Sequence, residues 1–66
     1  MKITLNGREH DIAPETSVSS LLSRLEIGLA RAAVAVNSRV IPRSRLIETT
    51  LKDGDSVEII EAVGGG

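Results

Sequence analysis

The residue types in this chain of 66 residues that suit covalent chemistry are few. It has no cysteine and one histidine, His10. Disulfides, thiolate metal sites and a persulfide carried on the chain itself are therefore excluded, and His10 alone makes neither a metal set nor a nucleophilic triad. The sequence offers no catalytic residue of its own and no metal ligands. The stretch that stands out is Gly64-Gly65-Gly66, which holds half of the six glycines and follows Ile59-Ile60-Glu61-Ala62-Val63. Read as a C-terminus, it presents a flexible thread without side chains and one terminal carboxylate. Three extended residues reach roughly 10 Å, enough to enter a narrow channel in another protein. A carboxylate is a poor acylating group because its leaving group is oxide. Joined to a nucleotide phosphate it becomes a mixed anhydride, open to attack by sulfur or an amine. No glycine loop followed by Lys and Ser/Thr is present to bind that nucleotide, so the activation must come from a partner.

Something must hold such a tail. Sixty-six residues allow one domain, expected over 1–63 with 64–66 as the tail. The apolar share of 41% is ordinary for a globular chain, and with no aromatic residue the core must come from Ile, Leu, Val and Ala. Eight basic and nine acidic residues give a net charge of −1. That balance provides no broad attraction for nucleic acid or an anionic membrane. No stretch is long and apolar enough to span a bilayer, and Met1-Lys2-Ile3-Thr4 lacks a signal-peptide pattern, so a cytoplasmic protein is expected.

Met1 to Asn6 alternate as a half-buried strand, and Asn6-Gly7 is a strong signal for a type I′ hairpin turn. A two-residue loop pairs Leu5 with Arg8, Thr4 with Glu9, Ile3 with His10 and Lys2 with Asp11. This register predicts His10 on the core side, partly buried. Pro14 ends the second strand. Thr16 or Ser17 is the candidate N-cap of a helix whose apolar stripe is Val18, Leu21, Leu22 and Leu25, with Gly28 expected after its C-cap in a left-handed conformation. Ala32 to Val36 forms the next strand, with the small Ala33 and Ala35 on its outer face. Asn37-Ser38 is a turn, and Val40-Ile41 a short strand stopped by Pro42. Arg43 and Arg45 make a local basic spot, solvated or facing an acidic partner surface. A short turn or 3₁₀ piece within Leu46 to Leu51 is expected to pack through Leu46 or Ile47, and Leu51. Asp53-Gly54-Asp55 is a turn; it lacks the further oxygen ligands of a calcium loop.

In the last strand, Asp55 to about Ala62, Val57 and Ile59 face the core. Parity sends Ile60 and Ala62 to the other face. An apolar patch there reads either as a docking surface, with Ile60, Ala62 and Val63 as its residues, or as the second apolar face of a central strand. The order strand, strand, helix, strand, short strand, strand predicts an α+β chain with the β-grasp (ubiquitin-like) arrangement: a small mixed sheet of about five strands packed on one helix. The first and last strands would run parallel at its centre, and one sheet face would stay open.

The sequence resembles the ThiS family, the small sulfur carriers of thiamine biosynthesis. The resemblance covers nearly the whole chain and is carried by Val18-Ser19-Ser20-Leu21-Leu22, Val34-Ala35-Val36-Asn37, Val40-Ile41-Pro42-Arg43, the stretch from Leu51-Lys52-Asp53-Gly54-Asp55 through Ile60, and Val63-Gly64-Gly65-Gly66. It implies a non-enzyme, a cosubstrate. In this family an E1-like, ThiF-type enzyme uses ATP to adenylate the terminal glycine, a sulfur donor such as a cysteine desulfurase converts the acyl adenylate to a thiocarboxylate, and a ThiG-type thiazole synthase takes the sulfur. Carried over, Gly66 is the modified residue and Gly64 and Gly65 thread the partner's active site; the chain binds no cofactor itself. The chain departs from many relatives in lacking an aromatic residue at Leu46 and near Glu61-Ala62. Two other readings are a β-grasp carrier feeding molybdopterin, cysteine or tRNA thiolation, and a ubiquitin-like interaction module with an inert tail.

Overall fold

Two asparagine-led turns build the sheet. A computed structural model describes residues 1–61; Ala62 to Gly66 lie outside the described residues. Strand β1 (Lys2–Leu5) turns at Asn6-Gly7 into β2 (Arg8–Asp11), and both turn residues have positive φ, 48° and 83°. That is the left-handed pair a type I′ turn requires. The register is the one that loop length dictates: Leu5 opposite Arg8, Ile3 opposite His10 and Lys2 opposite Asp11. The second hairpin joins β3 (Ala32–Val36) to β4 (Arg39–Ile41) through Asn37 and Ser38, with φ of 52° and 69°. Here Ser38 adopts without glycine what Gly7 adopts freely.

Strand β5 (Ser56–Glu61) enters between the hairpins, parallel to β1 and antiparallel to β3, so the five-stranded sheet runs β2-β1-β5-β3-β4. This is the β-grasp arrangement, with the first and last strands side by side at its centre. Helix α1 (Val18–Arg24) crosses one face. Ser17 is its N-cap, its hydroxyl accepting from the Ser20 amide at 3.1 Å. Val18, Leu21 and Leu22 bury against Ile3, Leu5, Val34, Val57 and Ile59, and Ile12, Leu46 and Leu51 close the core from the connecting segments.

The helix ends differently from the sequence expectation. Gly28 has φ −70° and opens a 3₁₀ turn (Leu29–Arg31); the left-handed residue is Glu26, φ 60°. The Ile27 amide donates to Leu22 O at 2.9 Å and the Glu26 amide to Ser23 O at 3.0 Å. These are the two bonds of a Schellman motif, so the position of the last free carbonyls, not of the nearest glycine, decides where the chain reverses. Leu25 becomes the C-cap residue and is 38% exposed, outside the buried stripe.

His10 is exposed, not partly buried, and so is every residue of β2. The physical reason is width. A helix covers about 10 Å with its side chains, whereas five strands spaced about 4.8 Å apart span roughly 19 Å. The helix covers the centre and leaves edge strand β2 bare. Between the two expected anchors, Leu46 is buried and Ile47 is exposed. A short turn does form at residues 46–48, and it continues a 3₁₀ turn at Arg43–Arg45. Leu46 is thus a core position, so its side chain fills the core and does not shape the surface.

Candidate functional site

The site is the end of β5 and what surrounds it. Along this strand Val57 and Ile59 are buried under the helix, while Glu58 and Ile60 point to the open face. Ile60 is 71% exposed. Of the three residues expected to dock a partner, it is the one the described residues include; Ala62 and Val63 lie outside them, as do Gly64, Gly65 and Gly66 and the boundary expected between 63 and 64. The open-face neighbours of Ile60 are set by register. Ala33 sits directly opposite it, and Ala35 opposite Glu58. Val40, across from Ala35 on β4, is 76% exposed. Ala33, Ala35, Val40 and Ile60 therefore form one apolar floor of small and branched side chains, and a shallow cavity of about 110 Å³ lies on it, walled on one side by Glu58. A second, of about 220 Å³, lies toward the end of β5 between Ile60, Ala33 and the arginines Arg31 and Arg43.

Two asparagines hold β5 in register from opposite sides. The Asn6 carboxamide accepts from the Ile59 amide at 2.8 Å and donates to the Ile59 carbonyl at 3.3 Å, while the Asn6 amide donates to Val57 O at 2.9 Å. The side chain thus imitates one more residue of β1 and extends the parallel ladder to Ile59. At the other end, the Asn37 side chain accepts from the Ser56 amide at 2.9 Å and donates to the Asp55 carboxylate at 2.9 Å. Asp55 in turn accepts from the Lys52 amide at 2.7 Å, and Asp53 from the Lys2 amide at 2.8 Å. Both aspartates of the Asp53-Gly54-Asp55 turn are spent on backbone amides. Among the described residues no three of His, Cys, Asp and Glu gather as a metal-binding group.

Chemically, the described surface can bind but has no group placed to react. Sequence reasoning marks Ile60 by parity, and the small outer residues Ala33 and Ala35 hint at the floor. It does not bring Arg31 beside Arg43, because that meeting depends on two 3₁₀ turns distant in sequence. Nor does it find the second role of Asn6 and Asn37, whose side chains act across the sheet and not within their own hairpins.

Comparisons with known proteins fit this geometry. The model of the ThiS family matches residues 3–66. The sulfur carrier protein ThiS of Escherichia coli K12 is 30% identical over 66 residues, which is all of both chains. A thiazole synthase of Paramagnetospirillum magneticum is 33% identical over the same span; the present chain covers 20% of that protein's length. The crystal structure of a thiamine biosynthesis protein (ThiS) from Geobacter metallireducens superposes with a TM-score of 0.83 at 38% identity, covering 100% of each chain.

Proposed function

The chain belongs to the ThiS family, and from that premise we propose that it is a sulfur carrier whose Gly66 carboxylate is adenylated and then thiolated. A carboxylate oxygen of Gly66 attacks the α-phosphorus of ATP on an E1-like, ThiF-type partner, and pyrophosphate leaves. The terminal sulfur of a persulfide on a donor of the cysteine desulfurase kind then displaces AMP to form an acyl disulfide. A thiol attacks the donor-side sulfur of that disulfide, forming a new disulfide and releasing the thiocarboxylate. A ThiG-type thiazole synthase takes that sulfur into the thiazole ring. Gly64 and Gly65 thread the partner's active site, and Ile60, with Ala62 and Val63, docks the body. ATP belongs to the partner; the carrier binds no cofactor, acts on no substrate of its own and works in the cytoplasm.

The observation that carries this reading is the open apolar floor of Ile60, Ala33, Ala35 and Val40, which lies on the outer sheet face toward the end of β5 that leads into residues 62–66. A strand clamped by Asn6 and Asn37 gives the tail a fixed root. Thiazole synthase relatives that contain a matching segment favour the thiazole branch over molybdopterin, cysteine or tRNA thiolation. The test is mass spectrometry after incubation with the adenylating enzyme, ATP and a sulfur donor. One oxygen-to-sulfur exchange on Gly66 is expected; an unchanged mass with an enzyme active on its own carrier overturns the reading. Removing Gly65 and Gly66 is expected to abolish the exchange and leave the melting temperature unchanged, because neither residue contributes a core side chain. Unfolding on that truncation would make the tail structural.

A further inference from the structure

The cations of this chain are unevenly placed. Between Glu26 and Glu48 there are four arginines, Arg31, Arg39, Arg43 and Arg45, and no acidic residue, although the chain as a whole has a net charge of −1. Two of the four converge on the functional end of the sheet. Arg31 closes the 3₁₀ turn before β3, and Arg43 opens the one after β4. Both are exposed and both line the cavity of about 220 Å³ beside Ile60 and Ala33. Arg43 is held there: its guanidinium donates to the Ala30 carbonyl at 3.2 Å, tying the second turn to the first. A guanidinium fixed through one N–H keeps its other donors for a planar bidentate acceptor. On the same face the acidic residues are Glu58, two residues back along β5 and beside the other cavity, and Glu9 and Asp11 on β2, opposite the outward Thr4 and Lys2. The open face therefore has a polarity, running from a carboxylate through an apolar floor to a pair of arginines at the end where β5 leads into residues 62–66.

We propose that Arg31 and Arg43 form a cationic anchor for carboxylates on the surface of the adenylating partner, next to the channel that admits the tail. The proposal rests on the carrier reading above. An apolar floor binds but orients poorly, since Ile60, Val40 and the alanines present no directional group. Charges at the rim of an interface set approach and register more than they set affinity. With arginines at the tail end and Glu58 at the other, docking in the reversed sense juxtaposes like charges, and the tail is aimed in a single direction. A protein partner with acidic side chains is favoured over a polyanion such as RNA because carboxylates share this face of the sheet: Glu58 on β5, and Glu9 and Asp11 on β2.

The test is ATP–pyrophosphate exchange by a purified ThiF-type enzyme as a function of carrier concentration. Reversing both charges, Arg31→Glu with Arg43→Glu, is expected to raise the KM for the carrier by roughly tenfold, with kcat kept within about twofold, because the chemistry on Gly66 is untouched. Wild-type kcat/KM should fall with ionic strength and the variant's should fall less. The matched control is Arg24→Glu with Lys52→Glu, which makes the same change in net charge away from the groove and should leave KM within about twofold. Arg31→Ala retains the Arg43–Ala30 bond and carries the test if the double reversal lowers the melting temperature; a KM increase of about threefold is expected from it. Equal KM values for the Arg31/Arg43 variants and the control would overturn the anchor. Tight binding of heparin by the wild type, lost on the same reversal while exchange is unaffected, would assign the arginines to polyanions and also overturn it. No exchange with the wild-type chain would instead sink the carrier reading, and the anchor with it.

Discussion

The two faces of β5 differ in everything but their backbone. On one side Val57 is fully buried and Ile59 nearly so, pressed beneath Leu21 and Leu22. On the other, two residues of the same strand, Glu58 and Ile60, meet solvent. The covered face contains nearly all the packing that a chain of this size can assemble, and small domains have little stability to spare. The open face contributes almost nothing to that packing, so its residues are free to be chosen for binding. The separation teaches how one strand can be both the centre of the fold and the root of a functional tail: alternate side chains divide the two tasks.

The largest effects should come from placing the same substitution on each face. Val57→Asp buries an unpaired charge at the centre of the core and should destabilise by about 4 kcal/mol or more, leaving no cooperative transition in a denaturant titration. Ile60→Asp should change stability by no more than about 0.5 kcal/mol, as surface positions do, yet raise the KM for the carrier in the adenylation reaction. Equal destabilisation by the two would mean that Ile60 is covered and that the faces are not separate. Within the covering layer, Leu22→Ala should cost about 2–5 kcal/mol and Leu25→Ala under about 1 kcal/mol, because the first empties a fully buried site and the second trims a side chain 38% exposed. Thermal melts of the pair check this.

What could be read in advance follows from how far each rule reaches along the chain. The Asn6-Gly7 loop length fixes the whole β1–β2 register, and period-two alternation fixes which β5 residues share the helix side. Both are local. The exposure of His10 was not legible from the same register, since pairing tells which face a residue is on but not how wide the helix is. Glu26 rather than Gly28 takes the left-handed position because the carbonyls of Leu22 and Ser23 need donors at that point, a condition set by where packing ends the helix. The choice of Leu46 over Ile47 depends on the 3₁₀ turn at Arg43–Arg45, whose anchor is a hydrogen bond to a residue 13 positions away. The groove lined by Arg31 and Arg43 has the same non-local origin. For Gly64, Gly65 and Gly66, residue type yields a thread and a carboxylate, and the chemistry on Gly66 comes from the family resemblance; all three lie outside the described residues.

A smaller effect tests the joint between the faces. Asn6 is not part of either packing layer, but its side chain ties β5 to β1 at Ile59. Asn6→Ala removes both bonds and the short polar side chain that makes φ 48° tolerable, for a loss of about 2 kcal/mol. Asn6→Asp keeps an acceptor for the Ile59 amide but sets an oxygen against the Ile59 carbonyl, and should lose about 1 kcal/mol. Hydrogen exchange localises the result: the Ile59 amide should lose protection in the Ala variant and keep most of it in the Asp variant. Unchanged protection in both would mean that β5 is held by the sheet ladder alone.

The smallest expected effect is a gain, and it asks whether the covered layer can be improved without disturbing the open face. Glu26 occupies a left-handed conformation that costs a residue with a β-carbon about 1–2 kcal/mol, while glycine there loses about 0.4–1 kcal/mol through the greater freedom of the unfolded chain. Glu26→Gly should therefore stabilise by about 0.5 kcal/mol, the difference between those terms. Gly28 presents the converse case: its φ is −70°, and a β-carbon built on it meets nothing within 4 Å. Gly28→Ala should stabilise by about 0.4–1 kcal/mol by restricting the unfolded chain. Together they move the glycine to the position where the chain reverses, and the melting temperature should rise while the KM of adenylation stays at the wild-type value. If Gly28→Ala destabilises and Glu26→Gly does too, the reversal lies at 28 and the Schellman assignment fails. If stability rises and KM shifts with it, the two faces communicate through the helix, and the division of labour along β5 is incomplete.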